Sequence, residues 1–383
     1  MEQAGELGNP ALAMYQASLE SVRKLVAEHR VAPATKRKRD AVLEDLEAWL
    51  AAGPYERTVR NCTAEDITVY VCNAYVVKTD RYGSETARGK RCCAPGTVEQ
   101  AISHLRQSFA QMGRYDRWSN LAHSMGSGEG CNPAWSQEVH DFARAYRNYA
   151  VKDLGYMEVS ATPSTGEVLC VVLEALTAAA TDRRNPVKAA LAARDGAMMS
   201  IEWATMVRGH DVGELLCTGL LLADGSDALG KLFPELLLRD GDCWLIKPQS
   251  TKTEKANVVE PRPLRVGTLP ACLEPALWVH RVLVTADQLG QPVTGYLFRR
   301  LTRSQRAFEE VAVSSGAYNH AFKKRYKEAG VLEGHTPHGL RRGSFQAGLQ
   351  SGKKIEEMME LAFMKTLENA KRYASVVRHR RDC

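Results

Sequence analysis

The chain has 383 residues, 44% hydrophobic and 25% charged, with a formal net charge of +6. Such a composition excludes a disordered or low-complexity polymer and predicts a globular protein of about two domains. No run approaches the roughly 18 apolar residues of a membrane span, and the mild positive charge permits a polyanionic partner without requiring one.

Residues 1–33 read as an N-terminal arm with one amphipathic helix around "ALAMYQASLESVRKLVAEHR". From "PATKRKRDAVLEDLEAWLAA" the apolar residues fall three and four apart, which places Val42, Leu43, Leu46, Trp49 and Leu50 on one helical face, with Thr35 as the expected cap. "TAEDITVYVCNAYVV" predicts a second helix capped by Thr63, with a glutamate nearby. A third helix is expected in "APGTVEQAISHLRQSFAQMG", striped by Ile102, Leu105, Phe109 and Met112. A fourth opens at Asn132-Pro133 in "NPAWSQEVHDFARAYRNYA". Residues 34–155 therefore read as a helical bundle, and the Gly-, Ser- and Pro-rich stretch 156–165 as a linker. Residues 166–383 read as a second, mainly helical domain with a small β-sheet. Its clearest strand signal is a hairpin expected around Asp240-Gly241 in "ELLLRDGDCWLIKPQSTKT".

Five residues of the second domain, Arg208, Lys252, His338, Arg341 and Tyr373, make a chemical set. Arg208 follows an apolar helix that ends at Val207, and Asp211 lies three residues on. Lys252 sits in "STKTEK". In "HTPHGLRRG", His338 and Arg341 are spaced one helical turn apart just after a Thr-Pro that reads as a helix start, and Tyr373 lies on a late helical stretch. Arginines grip non-bridging phosphate oxygens in a fork, and two of them can neutralise a pentacoordinate phosphorane. A tyrosine hydroxyl, with an ordinary pKa of about 10, attacks phosphorus only when that charge is neutralised and a base is near. His338 can orient the phosphate or take the proton, and Lys252 can protonate the departing deoxyribose oxygen. The set suits phosphoryl transfer from DNA to a protein hydroxyl, a reaction that calls for no metal and no cofactor. Taken singly, each residue has a plainer reading. Arg208 can be a cation on a helix dipole, Lys252 a solvated loop lysine, His338 a helix-start residue with a satisfied hydrogen bond, and Tyr373 a half-buried packing residue.

In order and context these pieces resemble the tyrosine recombinase (phage integrase) family across roughly residues 34 to 380. "ATMVRGHDVGEL" is similar to its first-arginine segment, "STKT" to its β-hairpin lysine loop, "TPHGLRRG" to its His-x-x-Arg box and "ENAKRYAS" to its nucleophile segment. The resemblance implies a helical core-binding (SAM-like) clamp domain followed by a catalytic domain. It implies Tyr373 as nucleophile, Arg208, Arg341 and His338 around the phosphate, Lys252 as general acid and Asp211 in support behind them. Double-stranded DNA is the implied partner, and a synaptic homotetramer of an integrase encoded by a mobile element is the implied assembly. The slot that the family fills with histidine or tryptophan ahead of the nucleophile holds Met364 here, which packs but cannot donate a hydrogen bond. Two other readings use the same residues: a type IB topoisomerase-like nicking-closing enzyme, and a DNA-binding relative whose reaction is weakened or lost.

Basic residues outside this set are candidates for DNA backbone contacts: Lys36, Arg37, Lys38 and Arg39 at a helix start, Arg88, Lys90 and Arg91 in a Gly/Ser-containing loop, and Arg342. "KRKR" also reads as a nuclear-import signal or a solvated charge run. The ten cysteines include the adjacent pair Cys92 and Cys93 but no CxxC pair and no Cys/His set with zinc-binding spacing, so no metal site is expected. "MEQAGELGNPALAMYQ" lacks the layout of a secretory signal. An intracellular, DNA-associated protein with reduced thiols is the expectation, nuclear if the host is eukaryotic.

Overall fold

The computed structural model describes residues 33–77, 83–85, 91–118, 130–156, 161–249, 260–304, 306–331 and 334–374. The chain separates into two compact units, the first ending at Val159 and the second beginning at Ser160. The expected helix within residues 1–33 and the C-terminal tail lie outside the described residues.

In the first unit, helix α1 (Pro33–Ala51) buries Leu46 and Leu50, with Val42, Leu43 and Trp49 packed beside them. Its stripe follows the predicted spacing, but its start does not: the helix begins at Pro33, so Thr35 lies inside it rather than capping it. Pro33 suits a first turn because its missing N–H would have no partner there. Helix α2 (Ala64–Val71) has the predicted cap at Thr63. The reciprocal carboxylate is Asp66 rather than the expected glutamate: it accepts from the Thr63 backbone at 2.7 Å while the Thr63 hydroxyl accepts from the Asp66 N–H. The chain continues as a π-helical turn, Cys72–Val77. Strands β1 (Gly83–Glu85) and β2 (Arg91–Cys93) then pair antiparallel.

Helix α3 (Pro95–Gln111) buries Val98, Ile102, Leu105 and Phe109, while Met112, just past its end, is exposed rather than part of the stripe. The two-residue strands β3 (Asp116–Arg117) and β4 (Cys131–Asn132) pair in parallel. Asn132 caps a single 3₁₀ turn, Pro133–Trp135, and Ser136 caps helix α4 (Gln137–Lys152), so the predicted fourth helix starts one turn later than Asn132-Pro133. Arg114, 4% exposed, ties this unit internally by donating to the carbonyls of Cys131 and Val59 at 2.7 and 2.8 Å.

The second unit is built on helix α6 (Pro186–Thr205), which follows α5 (Gly166–Ala180). Helix α6 is buried along nearly its whole length and packs against α5 and against α9 (Pro275–Gln288). Gly196 allows the α9 contact, since a Cβ there would lie 2.3 Å from the Trp278 ring. After α6 come the short helix α7 (Gly209–Gly213), strand β5 (Leu220–Leu222) and helix α8 (Leu229–Leu232). Strands β6 (Cys243–Ile246) and β7 (Arg262–Arg265) complete an antiparallel sheet of order β5-β6-β7, registering Leu220 with Ile246 and Trp244 with Leu264.

This sheet corrects the hairpin expected at Asp240-Gly241. The turn signal is genuine, since Gly241 takes φ 93° and donates to Val266, but the preceding apolar run Leu236–Leu238 forms no strand. Strand β6 finds its partners further away, in β5 and β7. Strands β8 (Arg299–Leu301) and β9 (Phe308–Ala312) form a second antiparallel pair. Helices α10 (Ser315–Glu328), α11 (Pro337–Gln350), α12 (Ile355–Leu361) and α13 (Leu367–Ala374) complete the unit.

The second half of the expected linker is seated in this unit rather than loose. Ser164 donates to the Gly339 carbonyl at 2.9 Å, and its hydroxyl lies 2.5 Å from that of Tyr326. Gly339 and Gly343 on α11 make room for it, since a Cβ on Gly343 would stand 1.8 Å from the Ser164 carbonyl oxygen.

Candidate active site

Helix α11 starts at Thr336-Pro337 as the sequence predicts, and its first two turns carry His338 and Arg341 on one side. Helix α13 brings Tyr373 against them. The Tyr373 hydroxyl lies 2.7 Å from His338 Nε2, and the two rings meet edge to face at 5.2 Å. Phe345 supports the same ring at 5.8 Å. Helix α13 is held onto α11 from two sides, by Gln346 donating to the Tyr373 carbonyl at 2.9 Å and Arg342 donating to the Arg372 carbonyl at 3.0 Å.

Arg341 is 1% exposed and is fixed by main-chain carbonyls: Nη1 donates to Met206 at 2.6 Å and Nη2 to Ala362. Both acceptors adjoin unusual backbone. Met206 has φ 53° and Phe363, the residue after Ala362, has φ 50°, and these are the non-glycine residues with positive φ among the described residues. Left-handed backbone costs a residue with a Cβ about 1–3 kcal/mol and clusters at functional sites. Here it turns two peptide carbonyls toward one guanidinium.

Met206 also ends α6 and swings the chain so that Arg208 becomes the residue before α7, half exposed and on the same side as Arg341. Its charge acts on Tyr373, His338 and Arg341 alike. Asp211, 5% exposed, has its pKa raised by burial, against the pull of Arg208, His210 and Arg341.

Electrostatics sort the two groups that share the short contact. Burial lowers the His338 pKa, and Arg341, Arg208 and Arg342 lower it further, although part of the ring is open to solvent. The imidazole is therefore neutral at pH 7. Burial raises the Tyr373 pKa, with Arg341 and Arg208 opposing. A neutral imidazole 2.7 Å from a phenol can take its proton, and two guanidiniums beside that oxygen can neutralise an arriving anion.

Met364 packs in a small cluster with Met206, Phe345, Met358, Ala362 and Ala370, so it supplies packing and no donor. Next to it, the Arg262 guanidinium lies 3.3 Å from the centroid of the Phe363 ring and donates to the Glu360 carbonyl at 3.2 Å, which steadies the left-handed corner.

The structure thus brings Arg208, Asp211, His338, Arg341, Tyr373 and Met364 together. Lys252 lies outside the described residues, in the connection between β6 and β7. Arg342 corrects an expectation: it is 6% exposed and spans the Ala161 and Arg372 carbonyls, an internal tie rather than an outward phosphate contact. Lys36, Arg37 and Lys38 are exposed along α1 and Arg39 is half-buried. Arg88 and Lys90 lie outside the described residues, and Arg91 is described only as the backbone that opens β2.

Sequence reasoning missed Glu202, which is 1% exposed and accepts from the Tyr318 hydroxyl at 2.8 Å close to Arg341. The available signal was a lone carboxylate inside the apolar run "AMMSIEWATM".

No family model matches the sequence, and no curated protein matches it. Solved structures do. A lambda integrase dimer bound to a COC' core site superposes with a TM-score of 0.50 at 13% identity, covering 99% of this chain and 85% of that one. The XerH site-specific recombinase bound to a palindromic difH substrate gives 0.50 at 13% identity, covering 82% and 69%. A lambda integrase tetramer bound to a Holliday junction gives 0.50 at 13%, covering 96% and 79%. At that identity the likeness speaks to architecture, and it shows that this chain is similar in fold to the DNA-bound site-specific recombinases.

Proposed function

We propose that this chain is a site-specific DNA strand transferase with Tyr373 as its nucleophile. The observation that carries the reading is the 2.7 Å contact between the Tyr373 hydroxyl and His338 Nε2, within the field of Arg341 and Arg208. The Tyr373 oxygen attacks a backbone phosphate of double-stranded DNA, and its proton passes to the neutral imidazole. Arg208 and Arg341 neutralise the non-bridging oxygens as the phosphorane forms. The bond to the 5′ oxygen breaks, Lys252 supplies the proton that this oxygen needs, and a 3′-phosphotyrosyl bond and a 5′-hydroxyl result. A 5′-hydroxyl of a partner strand reverses the step, so the bond energy is kept and no nucleotide is hydrolysed. Asp211 counterbalances the arginine pair from behind.

The exposed Lys36, Arg37 and Lys38 suit phosphate contacts on duplex DNA, which position rather than specify. Exchange of strands between two duplexes calls for several copies, and a homotetramer on DNA fits that need. The fold likeness supports the recombinase reading over a nicking-closing enzyme that acts on one duplex. Met364, which gives the phosphate no donor, favours a second reading, a DNA-binding relative with a slowed or lost reaction.

The test is to mix wild type and Tyr373→Phe with a nicked-duplex library, denature the mixtures and sequence the DNA left covalently attached. Attachment to wild type alone, with binding retained by the variant in a gel shift, is expected. Binding without attachment by either protein would select the second reading.

A further inference from the structure

We propose that Glu202 is a positioning residue for both arginines of the site, holding the Arg208-Gly209 peptide and facing the Arg341 guanidinium with one buried carboxyl. The inference rests on the strand-transfer reading and adds a residue outside every motif that suggested it.

The geometry is closed on all sides. Glu202 lies on α6, a little over one turn before the left-handed Met206. Its Oε2 accepts from the Tyr318 hydroxyl at 2.8 Å, and Tyr318 is itself 1% exposed. The backbone N–H of Gly209, the residue after Arg208, lies near the same carboxyl and favours its charged form. Gly209 has no room for a side chain there: a Cβ would stand 2.6 Å from the Tyr318 ring and 3.1 Å from Glu202 Oε2. The peptide following Arg208 is therefore packed closely between the Tyr318 ring and the Glu202 carboxyl, and the Arg341 charge acts on the same carboxyl from α11. A shift of Glu202 moves the Arg208 main chain directly and changes the charge felt by Arg341.

A carboxyl placed this deep resists ionisation. Burial raises its pKa to about 8, outweighing the Tyr318 hydroxyl, the Arg341 charge and the Gly209 N–H, while Asp211 on α7 pushes in the same direction as burial. Tyr326 on α10 and Tyr373 on α13 feel the Glu202 charge in turn. At pH 7 the acid is mostly neutral, and the Arg341 charge is left for a phosphate. As pH rises through about 8 the carboxylate forms and compensates Arg341. The sign is that of a raised carboxyl pKa: the contribution to stability is full below the ordinary carboxyl pKa and is lost as pH rises through the folded value.

The experiment uses the full chain as wild type, Glu202→Gln, Glu202→Ala and Tyr318→Phe. Single-turnover cleavage of a nicked duplex, recovered from the library by wild type, is followed across pH. In parallel, the assigned Nε–H resonances of Arg208 and Arg341 are followed across the same range in ¹⁵N-labelled protein without DNA. Wild type is expected to lose cleavage rate, and its arginine resonances to shift, as pH rises through about 8. Glu202→Gln is expected to show neither transition. Glu202→Ala should be slower at neutral pH by about 100-fold, the scale of a 1 Å misplacement, and Tyr318→Phe should move the transition to higher pH because a donor to the carboxylate is lost. An alkaline transition that survives in Glu202→Gln, or resonances that do not move in wild type, would overturn the inference. Resonances that titrate in a protein forming no adduct at any pH would overturn the strand-transfer reading and leave the positioning role of Glu202 standing.

Discussion

Arg341 donates to the main-chain carbonyl of Met206 at 2.6 Å, and Met206 holds a left-handed backbone with φ 53°. The second carbonyl on the same guanidinium belongs to Ala362, directly before the other left-handed non-glycine residue, Phe363. A buried arginine is costly unless its donors are met. Two of its nitrogens are met by peptide carbonyls rather than carboxylates, and Nε has no partner among the described residues, so no side-chain ion pair is formed there that would take up its charge. The proposed strand transfer calls for such an arginine beside the phosphate.

Met206→Val tests this directly. A β-branched residue fits a left-handed backbone worst, so the variant should lose about 1–3 kcal/mol of stability, read by urea denaturation, and should cleave slowly because the carbonyl moves. Met206→Leu keeps volume and flexibility at Cβ and should cost less than about 1.5 kcal/mol. Equal losses from the two variants would mean that packing, not backbone direction, matters at this position.

The seating of residues 161–165 on α11 makes a second prediction. Gly343→Ala places a Cβ 1.8 Å from the Ser164 carbonyl and 2.8 Å from the Trp203 ring, where backbone cannot yield. Its cost should reach or exceed the roughly 3 kcal/mol at the upper end of overpacking, with soluble yield falling accordingly. Gly316→Ala on α10, where a Cβ meets nothing within 4 Å, should instead be neutral or stabilising by about 0.5 kcal/mol. Thermal melting of the two variants side by side separates a close approach from a general intolerance of alanine.

Cleavage should also fail in acid in a defined direction. Burial and three arginines lower the His338 pKa below its ordinary 6.5, so the neutral base persists down to mildly acid pH and is lost only as pH falls through that lower value. The same sign holds for stability, because a depressed histidine pKa favours the fold above the unfolded value and less so below the folded one. Single-turnover rates should therefore fall with a midpoint below 6.5. A midpoint above it, or an acid limb unchanged in His338→Gln, would remove His338 as the base.

Met364 offers a gain-of-function test. A hydrogen bond to a charged group contributes about 1.5–3 kcal/mol, so Met364→His should raise the cleavage rate by about tenfold or more if the slot faces the phosphate. No gain, with stability unchanged, would show that the Met206, Phe345 and Met358 packing turns this position away from the reacting atoms.

The legible parts of the site were local ones. His338 and Arg341 one turn apart after a Thr-Pro, Arg208 at the end of an apolar helix and Thr63 as a helix cap all rest on spacings that the helix period fixes. The failures share a physical origin in long-range partners. Strand β6 pairs with β5 and β7 across many intervening residues, so a good turn at Gly241 pointed to the wrong partner. Arg342 reads as a DNA-backbone contact in the sequence, but it ties to the Ala161 and Arg372 carbonyls. Glu202 looked like an anomaly inside an apolar helix, and only the approach of Tyr318, more than a hundred residues away, explains it. The left-handed turn at Met206 had no glycine to announce it.

The most direct test of the central claim is the identity of the residue that carries DNA. Wild-type protein trapped on nicked duplexes would be digested with trypsin and nuclease, and the modified peptide sequenced by mass spectrometry. Cleavage after Arg372 releases Tyr373 at the start of "YASVVR", and the nucleotide mass is predicted on that tyrosine through a phosphodiester bond. A nucleotide on any other side chain would contradict the assignment of Tyr373, and with it the roles given to His338 and Arg341.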